Sequence, residues 1–188
     1  MHGRFSLLSG LLLSVAAPAA PPRHSWRIYK ADPDLKAEVC YPADLLRPHH
    51  NRKNRGVIDL IGSGGAEDLV EARPDKHTTL RDELRYSLGW VTDQAPRVLH
   101  VEGNPGIVRE DYAPAMKVIS SLVKTDFFVY TAEDNKMIQY EWRSHLDHAY
   151  KGLLIIYPKS RAAEWKGVPE RMRACFRSLG PITDPNMW

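Results

Sequence analysis

The chain is poor in the features that announce a chemistry. Among 188 residues there are two cysteines, Cys40 and Cys175, so at most one internal bridge can form. No charge sign dominates. The 26 Lys and Arg stand against 23 Asp and Glu, leaving +3, and the basic residues form no run. So small a surplus is too little to suggest a nucleic-acid partner, and none is expected. Beyond residue 19 no apolar stretch approaches membrane-spanning length. There is no internal repeat and no composition break that would mark a domain boundary. The 43% hydrophobic and 26% charged fractions are those of an ordinary globular protein, and the length suits one domain with its own core.

The recognisable catalytic spacings are missing too. Gly62-Ser63-Gly64-Gly65 follows a strand-like run, but position 67 is Glu where the dinucleotide fingerprint needs glycine. No Lys-Ser/Thr pair follows it as a phosphate-binding loop requires. Ile61 also occupies the first glycine position of a nucleophile elbow, so the segment reads as a turn. His145 and His148, with Asp147 and Glu141, are the nearest approach to a metal set. They fall at a strand end and loop, short of the three or four fixed ligands that zinc takes. His49-His50 in a basic loop is weaker still. Ser63, Ser120 and Ser121 have no base at a telling spacing, and His100 in an apolar run reads as a core residue. The sequence thus assigns no catalytic, cofactor-binding or metal-binding residue and implies no cofactor.

The N-terminus does carry a message. Met1-His2-Gly3-Arg4 is a short basic start, Phe5 to Val15 is an apolar run, and Ala17-Pro18-Ala19 offers small residues at a cleavage site. Residues 1–19 therefore read as a signal peptide, and the run is too short to cross a bilayer core of about 30 Å comfortably. No cysteine follows it to take a lipid anchor. Residues 20–34 read as an extended lead-in, 35–180 as a single α/β domain and 181–188 as an irregular tail. The destination is periplasmic or extracellular. In an oxidising compartment Cys40 and Cys175 are a candidate disulfide, with an upper value of about 4–5 kcal/mol for so long a loop. Two buried, unpaired thiols are the alternative.

Residues 115–158 organise the rest. Four short runs rich in β-branched and aromatic residues lie within them: 116–123, 126–131, 137–142 and 153–158. Turn formers or charges separate them, which predicts a four-strand meander. The last run is almost entirely apolar, so both its faces need cover. Residues 78–89 supply one helix, with Thr78 or Thr79 as cap, a Leu80/Leu84/Leu88 stripe and Gly89 as stop. Residues 168–179 supply another, through Val168, Met172, Cys175, Phe176 and Leu179. Further strands are expected at 35–41, 57–61 and 98–102, a short strand or extended arm at 26–29, a weaker helix at 66–72 and a loop at 48–55. Tyr130, Tyr140 and Trp142, with Tyr150, Tyr157 and Trp165, line either the core or a binding surface. The first three are the candidate surface.

In this order the segments Lys124-Thr125-Asp126-Phe127-Phe128-Val129-Tyr130, Lys136-Met137-Ile138-Gln139-Tyr140, Tyr157-Pro158 and Arg171-Met172-Arg173-Ala174-Cys175-Phe176-Arg177 resemble a group of exported bacterial proteins of Mog1/PsbP-like α/β/α sandwich architecture. Cys40-Tyr41-Pro42-Ala43-Asp44-Leu45-Leu46 resembles their first strand and bend. The likeness spans residues 38–179, is stronger in the second half, and departs at 89–114. It implies a central antiparallel sheet of about six strands with helices on its faces, and no activity. Cys175 stands where a small polar residue is expected, so a disulfide would be particular to this chain. The function read from all this is an exported, non-enzymatic protein binding a protein partner or envelope component. A small secreted hydrolase is the alternative, and an accessory subunit of a larger assembly a third. Mass spectrometry of the exported protein is expected to find a mature N-terminus at or near Ala20; membrane-held, full-length chain would overturn the signal-peptide reading.

Overall fold

A computed structural model describes residues 23–30, 35–49, 57–74, 79–92 and 116–182. The signal-peptide reading, the strand expected at 98–102, His50 and His100 lie outside them. Seven antiparallel strands form the main sheet, in the order β3-β4-β5-β9-β8-β7-β6. They are β3 (Leu46–His49), β4 (Val57–Gly62), β5 (Glu67–Pro74), β6 (Lys117–Val123), β7 (Phe127–Glu133), β8 (Met137–Leu146) and β9 (Ala149–Pro158). The meander β6 to β9 is as the sequence predicts, and β5 joins it by pairing with β9 along eight residues, Glu67↔Ile156 to Pro74↔Ala149. A second sheet of three strands has the order β1-β2-β10, from β1 (Trp26–Lys30), β2 (Ala37–Pro42) and β10 (Arg177–Ser178). The central antiparallel sheet of about six strands is thus present, with seven among the described residues, and the small sheet is additional.

Each face of the main sheet has its own cover. Helix α1 (Leu80–Thr92) sets Leu80, Leu84 and Leu88 against Phe128, Tyr130 and Ala132. Its start is fixed by reciprocal bonds: the Asp82 N–H donates to Thr79 Oγ1, while the Thr79 N–H and O–H donate to Asp82 Oδ2. This capping arrangement satisfies two groups that a bare helix end leaves open. The opposite face packs against helix α2 (Val168–Cys175) and β2. There Leu35, Ala37, Val39, Val168 and Met172 close on Leu60, Val70, Tyr140, Trp142, Leu153 and Ile155. The layers are therefore helix, seven-stranded sheet, then helix with a small sheet.

Several expectations are corrected. Residues 66–72 are strand: Ala66, Asp68, Val70 and Ala72 are buried in strict alternation, the period of a pleated face rather than a helix. Of the loop expected at 48–55, Pro48 and His49 belong to β3 instead, and the rest lies outside the described residues. Helix α1 runs through Gly89, since one glycine costs a helix only about 1 kcal/mol. Helix α2 ends at Cys175. Phe176 is extended, with ψ 133°, and the next two residues pair with Glu38 and Ala37. Phe176 still packs inward, edge-on to Trp142 with ring centroids 5.2 Å apart. Within the lead-in, residues 26–30 are strand β1, and the residues before it are tied down. His24 places Nδ1 2.8 Å from Asp44 Oδ2 and Nε2 2.9 Å from the Glu164 carbonyl oxygen.

Cys40 of β2 and Cys175 of α2 form a disulfide, with Cα atoms 5.9 Å apart at a sequence separation of 135. It binds the small sheet to the helix that covers the core. Replacing both cysteines with serine is expected to lower unfolding free energy by about 2–5 kcal/mol, read from the denaturation midpoint under non-reducing conditions. An unchanged midpoint would mean that packing alone holds this layer.

Candidate functional site

The main concentration of chemistry-bearing side chains lies beneath α1, on β8. Glu141 and Arg143 are two residues apart on one strand and so share a face. Register places Arg143 opposite Gly152 of β9 and Gly152 opposite Glu71 of β5. A side chain at 152 is forbidden there, because a Cβ would come within 2.3 Å of the Trp142 carbonyl oxygen and 2.8 Å of Arg143 Cγ. The bare position leaves a slot across β9. Arg143 uses it, its Nη2 donating to Glu71 Oε2 at 2.9 Å and its Nε to Glu141 Oε1 at 2.5 Å. Glu141 also accepts from Ser87 of α1 at 2.9 Å and, through Oε2, from the Tyr130 hydroxyl at 2.5 Å. Gln139 Nε2 donates to the same hydroxyl at 2.8 Å. Burial works against the Arg143 charge, yet Glu71 and Glu141 outweigh it and hold its pKa above the ordinary value. Burial and the neighbouring Glu141 charge push the Tyr130 phenol up as well.

A second polar centre lies on the opposite face, at Lys151 of β9. Its side chain is fully buried. The ammonium donates to the carbonyl oxygens of Lys36 at 3.1 Å and Gly180 at 2.6 Å, and to Ser178 Oγ at 2.5 Å. Ser178 Oγ in turn donates to Asp147 Oδ2. Burial lowers the Lys151 pKa, and Asp147 partly offsets that. A Lys beside a Ser has the composition of a nucleophile and its base, but the direction of the bonds is wrong for it. Both carbonyls only accept, so Nζ presents N–H groups to all three partners, and the Ser178 proton goes to Asp147 rather than to nitrogen.

Of the residues singled out in the sequence, Tyr130 and Glu141 belong to the first centre and Asp147 to the second, in structural rather than binding roles. Tyr130, Tyr140 and Trp142 are 1%, 4% and 8% exposed, so they are core and form no binding surface. They do not even share a face: Tyr130 lies opposite Glu141, under α1, while Tyr140 and Trp142 point into the α2 side. Burial raises the phenols of Tyr140 and of Tyr157 each to about 12. Ser63 Oγ is held by Arg161 Nη1 at 2.5 Å, inside a turn whose Gly64 and Gly65 take φ of 71° and 80°. His148 sits with Asp147 in the β8–β9 turn, both at positive φ, and His145 leans on Tyr150 with ring centroids 5.2 Å apart. Among the described residues no three His, Cys, Asp or Glu side chains converge to hold a metal ion. Neither polar centre was singled out from sequence. The signals for the first were the Glu141/Arg143 spacing and a glycine inside an apolar strand. Lys151 sits just ahead of that strand's apolar run.

The Glu71–Arg143–Glu141 centre is expected to carry stability rather than turnover. Arg143→Met leaves two carboxylates without their cation and is expected to cost about 3–5 kcal/mol. Replacing all three by apolar residues of similar volume is expected to recover much of that. Chemical denaturation of the single and triple variants measures both, and a single variant as stable as wild type would deny the centre its structural role.

No protein-family model matches the chain, and no curated protein sequence does. Among solved structures the fold is similar to that of cyanobacterial PsbP (CyanoP) from Synechocystis sp. PCC 6803, seen in solution. The two share 12% of residues and a TM-score of 0.53 over 87% of this chain and 98% of that one. At that identity the likeness concerns architecture alone: the chain has a PsbP-like fold, mostly antiparallel sheet with two helices.

Proposed function

We propose that this is an exported, non-enzymatic protein that works by binding a protein partner or a component of the cell envelope. One observation carries the reading: among the described residues, the two main clusters of chemistry-bearing side chains are committed to contacts within the fold. Glu141 accepts three internal bonds. Lys151 spends its N–H groups on two backbone carbonyls and Ser178. Ser63 is taken by Arg161, and both nitrogens of His24 are engaged. General acid–base or nucleophilic catalysis needs a group that can exchange its proton with a substrate. A side chain saturated by the fold serves the fold. The disulfide and the apolar start of the chain support export, and among the described residues no helix is long and apolar enough to cross a membrane. The near-balanced charge supports a partner other than nucleic acid.

The hydrolase reading survives on one feature, the Lys151–Ser178–Asp147 contact, and the bond directions above weigh against it. Purified protein assayed on chromogenic esters, anilides, glycosides and phosphoesters is expected to turn over none of them above the buffer rate. Turnover abolished by Ser178→Ala, with the fold intact by circular dichroism, would establish the hydrolase instead.

A further inference from the structure

The two ends of the main sheet are unlike. At one end β3 is four residues long and contains Pro48 and Arg47, both of which discourage a further strand. At the other end β6 spans seven residues, Lys117–Val123, with no proline. Among the described residues it pairs with β7 alone. Among the described residues five large hydrophobic side chains stand exposed, and three are on this strand: Ile119 at 50%, Leu122 at 48% and Val123 at 49%. Its register with β7 shifts between Val118 and Ser120, so Ile119 bulges and residues 120–123 form the regular part of the edge. Leu122 lies opposite half-buried Val129 on the α2 face, and Val123 opposite Phe128 on the α1 face. Apolar side chains are thus offered above and below one strip of backbone.

The charges around this strip are mainly positive. Lys117 and Lys124 stand exposed at its two ends. Glu133, across from Lys117, is held by Lys159 at 2.9 Å. Lys124 Nζ lies 5.7 Å and Arg173 Cζ 5.9 Å from the centre of the Phe127 ring, beside Leu122's neighbour Val129. Asp126 is the acidic residue in the adjoining turn. The geometry points to β6 as a docking edge for an extended segment of a partner protein, added as an eighth strand along residues 120–123. The segment has alternating apolar side chains and a carboxylate at each end for Lys117 and Lys124. A strand supplies what the edge needs: partners for its backbone N–H and C=O groups as well as cover for Leu122 and Val123. Lipid tails offer no hydrogen bonds to such groups. A second copy of this chain would lay the same lysines along both sides of the seam. This inference rests on the binding reading above and names its partner's chemistry.

The test is an amide chemical-shift titration of the ¹⁵N-labelled protein. The probe is acetyl-Glu-Val-Thr-Ile-Thr-Val-Glu-amide, and the control is the same peptide with both Glu replaced by Lys. Shifts are expected at residues 120–123 and across β7, with affinity about tenfold lower for the lysine peptide, a difference of about 1.4 kcal/mol. Leu122→Lys, an exposed change, is expected to abolish the shifts and leave the thermal midpoint in place. Equal affinity for the two peptides, shifts mapping away from β6, or no shifts at all would overturn the docking edge. So would binding to anionic phosphatidylglycerol vesicles in place of the peptide, or a dimer in sedimentation equilibrium that Leu122→Lys dissolves. Failure of the peptide with no enzymatic turnover removes this edge and leaves the binding reading standing; turnover on the chromogenic substrates removes the binding reading by itself.

Discussion

The absence of a side chain at Gly152 governs how the sheet is assembled. A guanidinium buried without partners is costly, and one with two carboxylates in hydrogen-bond reach is tolerated. Arg143 reaches Glu71, two strands away, only because nothing stands on β9 between them. That ties three neighbouring strands into one register. A slip of β8 by one residue against β9 would turn Glu141 and Arg143 toward Leu153 and Ile155, and Tyr140 and Trp142 out under α1. The centre's contribution is therefore to specificity as much as to energy. It also reaches the cover, because Ser87 of α1 donates to the carboxylate that Arg143 holds.

The layer on the other side is pinned by different means to the same strand pair. Its apolar contacts, from β2 and α2 onto β8 and β9, make up most of the core. Apolar contact alone leaves sliding freedom, and three directional links remove it. Lys151 gathers the segment before β2, the residue Ser178 of β10 and the chain beyond it onto β9. The disulfide joins β2 to α2. His24 holds the start of β1 between the β2–β3 turn and the approach to α2. Each link joins residues far apart in the chain, His24 with Asp44 and Glu164, Cys40 with Cys175, and Lys151 with Lys36 and Ser178, so the layer depends on long-range contacts.

Sequence made the local part of this legible and left the distant part hidden. The meander and the two helices follow from alternation, turn formers and a leucine stripe, each readable within a dozen residues. Strand β5 reads as helix because Ala66-Glu67-Asp68-Leu69-Val70-Glu71-Ala72 is rich in helix formers. Its pairing with β9, from Glu67↔Ile156 to Pro74↔Ala149 and so far off in the chain, overrides that propensity. The aromatics misled for a related reason. Whether Tyr130 shares a face with Tyr140 depends on the parity of the β7–β8 register, and one residue more in that hairpin would have reversed it. Glu141 and Arg143 were visible as a pair, but Glu71 and Ser87, which give the pair its meaning, come from other parts of the chain.

The proposed function rests on where the polarity went. Among the described residues Glu141, Arg143 and Lys151, three of the buried ionisable groups, are engaged in joining one element to another. What remains for outside contact is what the fold leaves unsatisfied at its margins, and the margins of a sheet are its edge strands. Protection is uneven between them: proline, arginine and brevity at β3, a single bulge and terminal lysines at β6. A bulge and lysines are enough to discourage a neutral or basic strand, and self-pairing with it, but they do not repel an acidic one. The same devices that keep this edge from aggregating therefore also select which kind of segment it can accept.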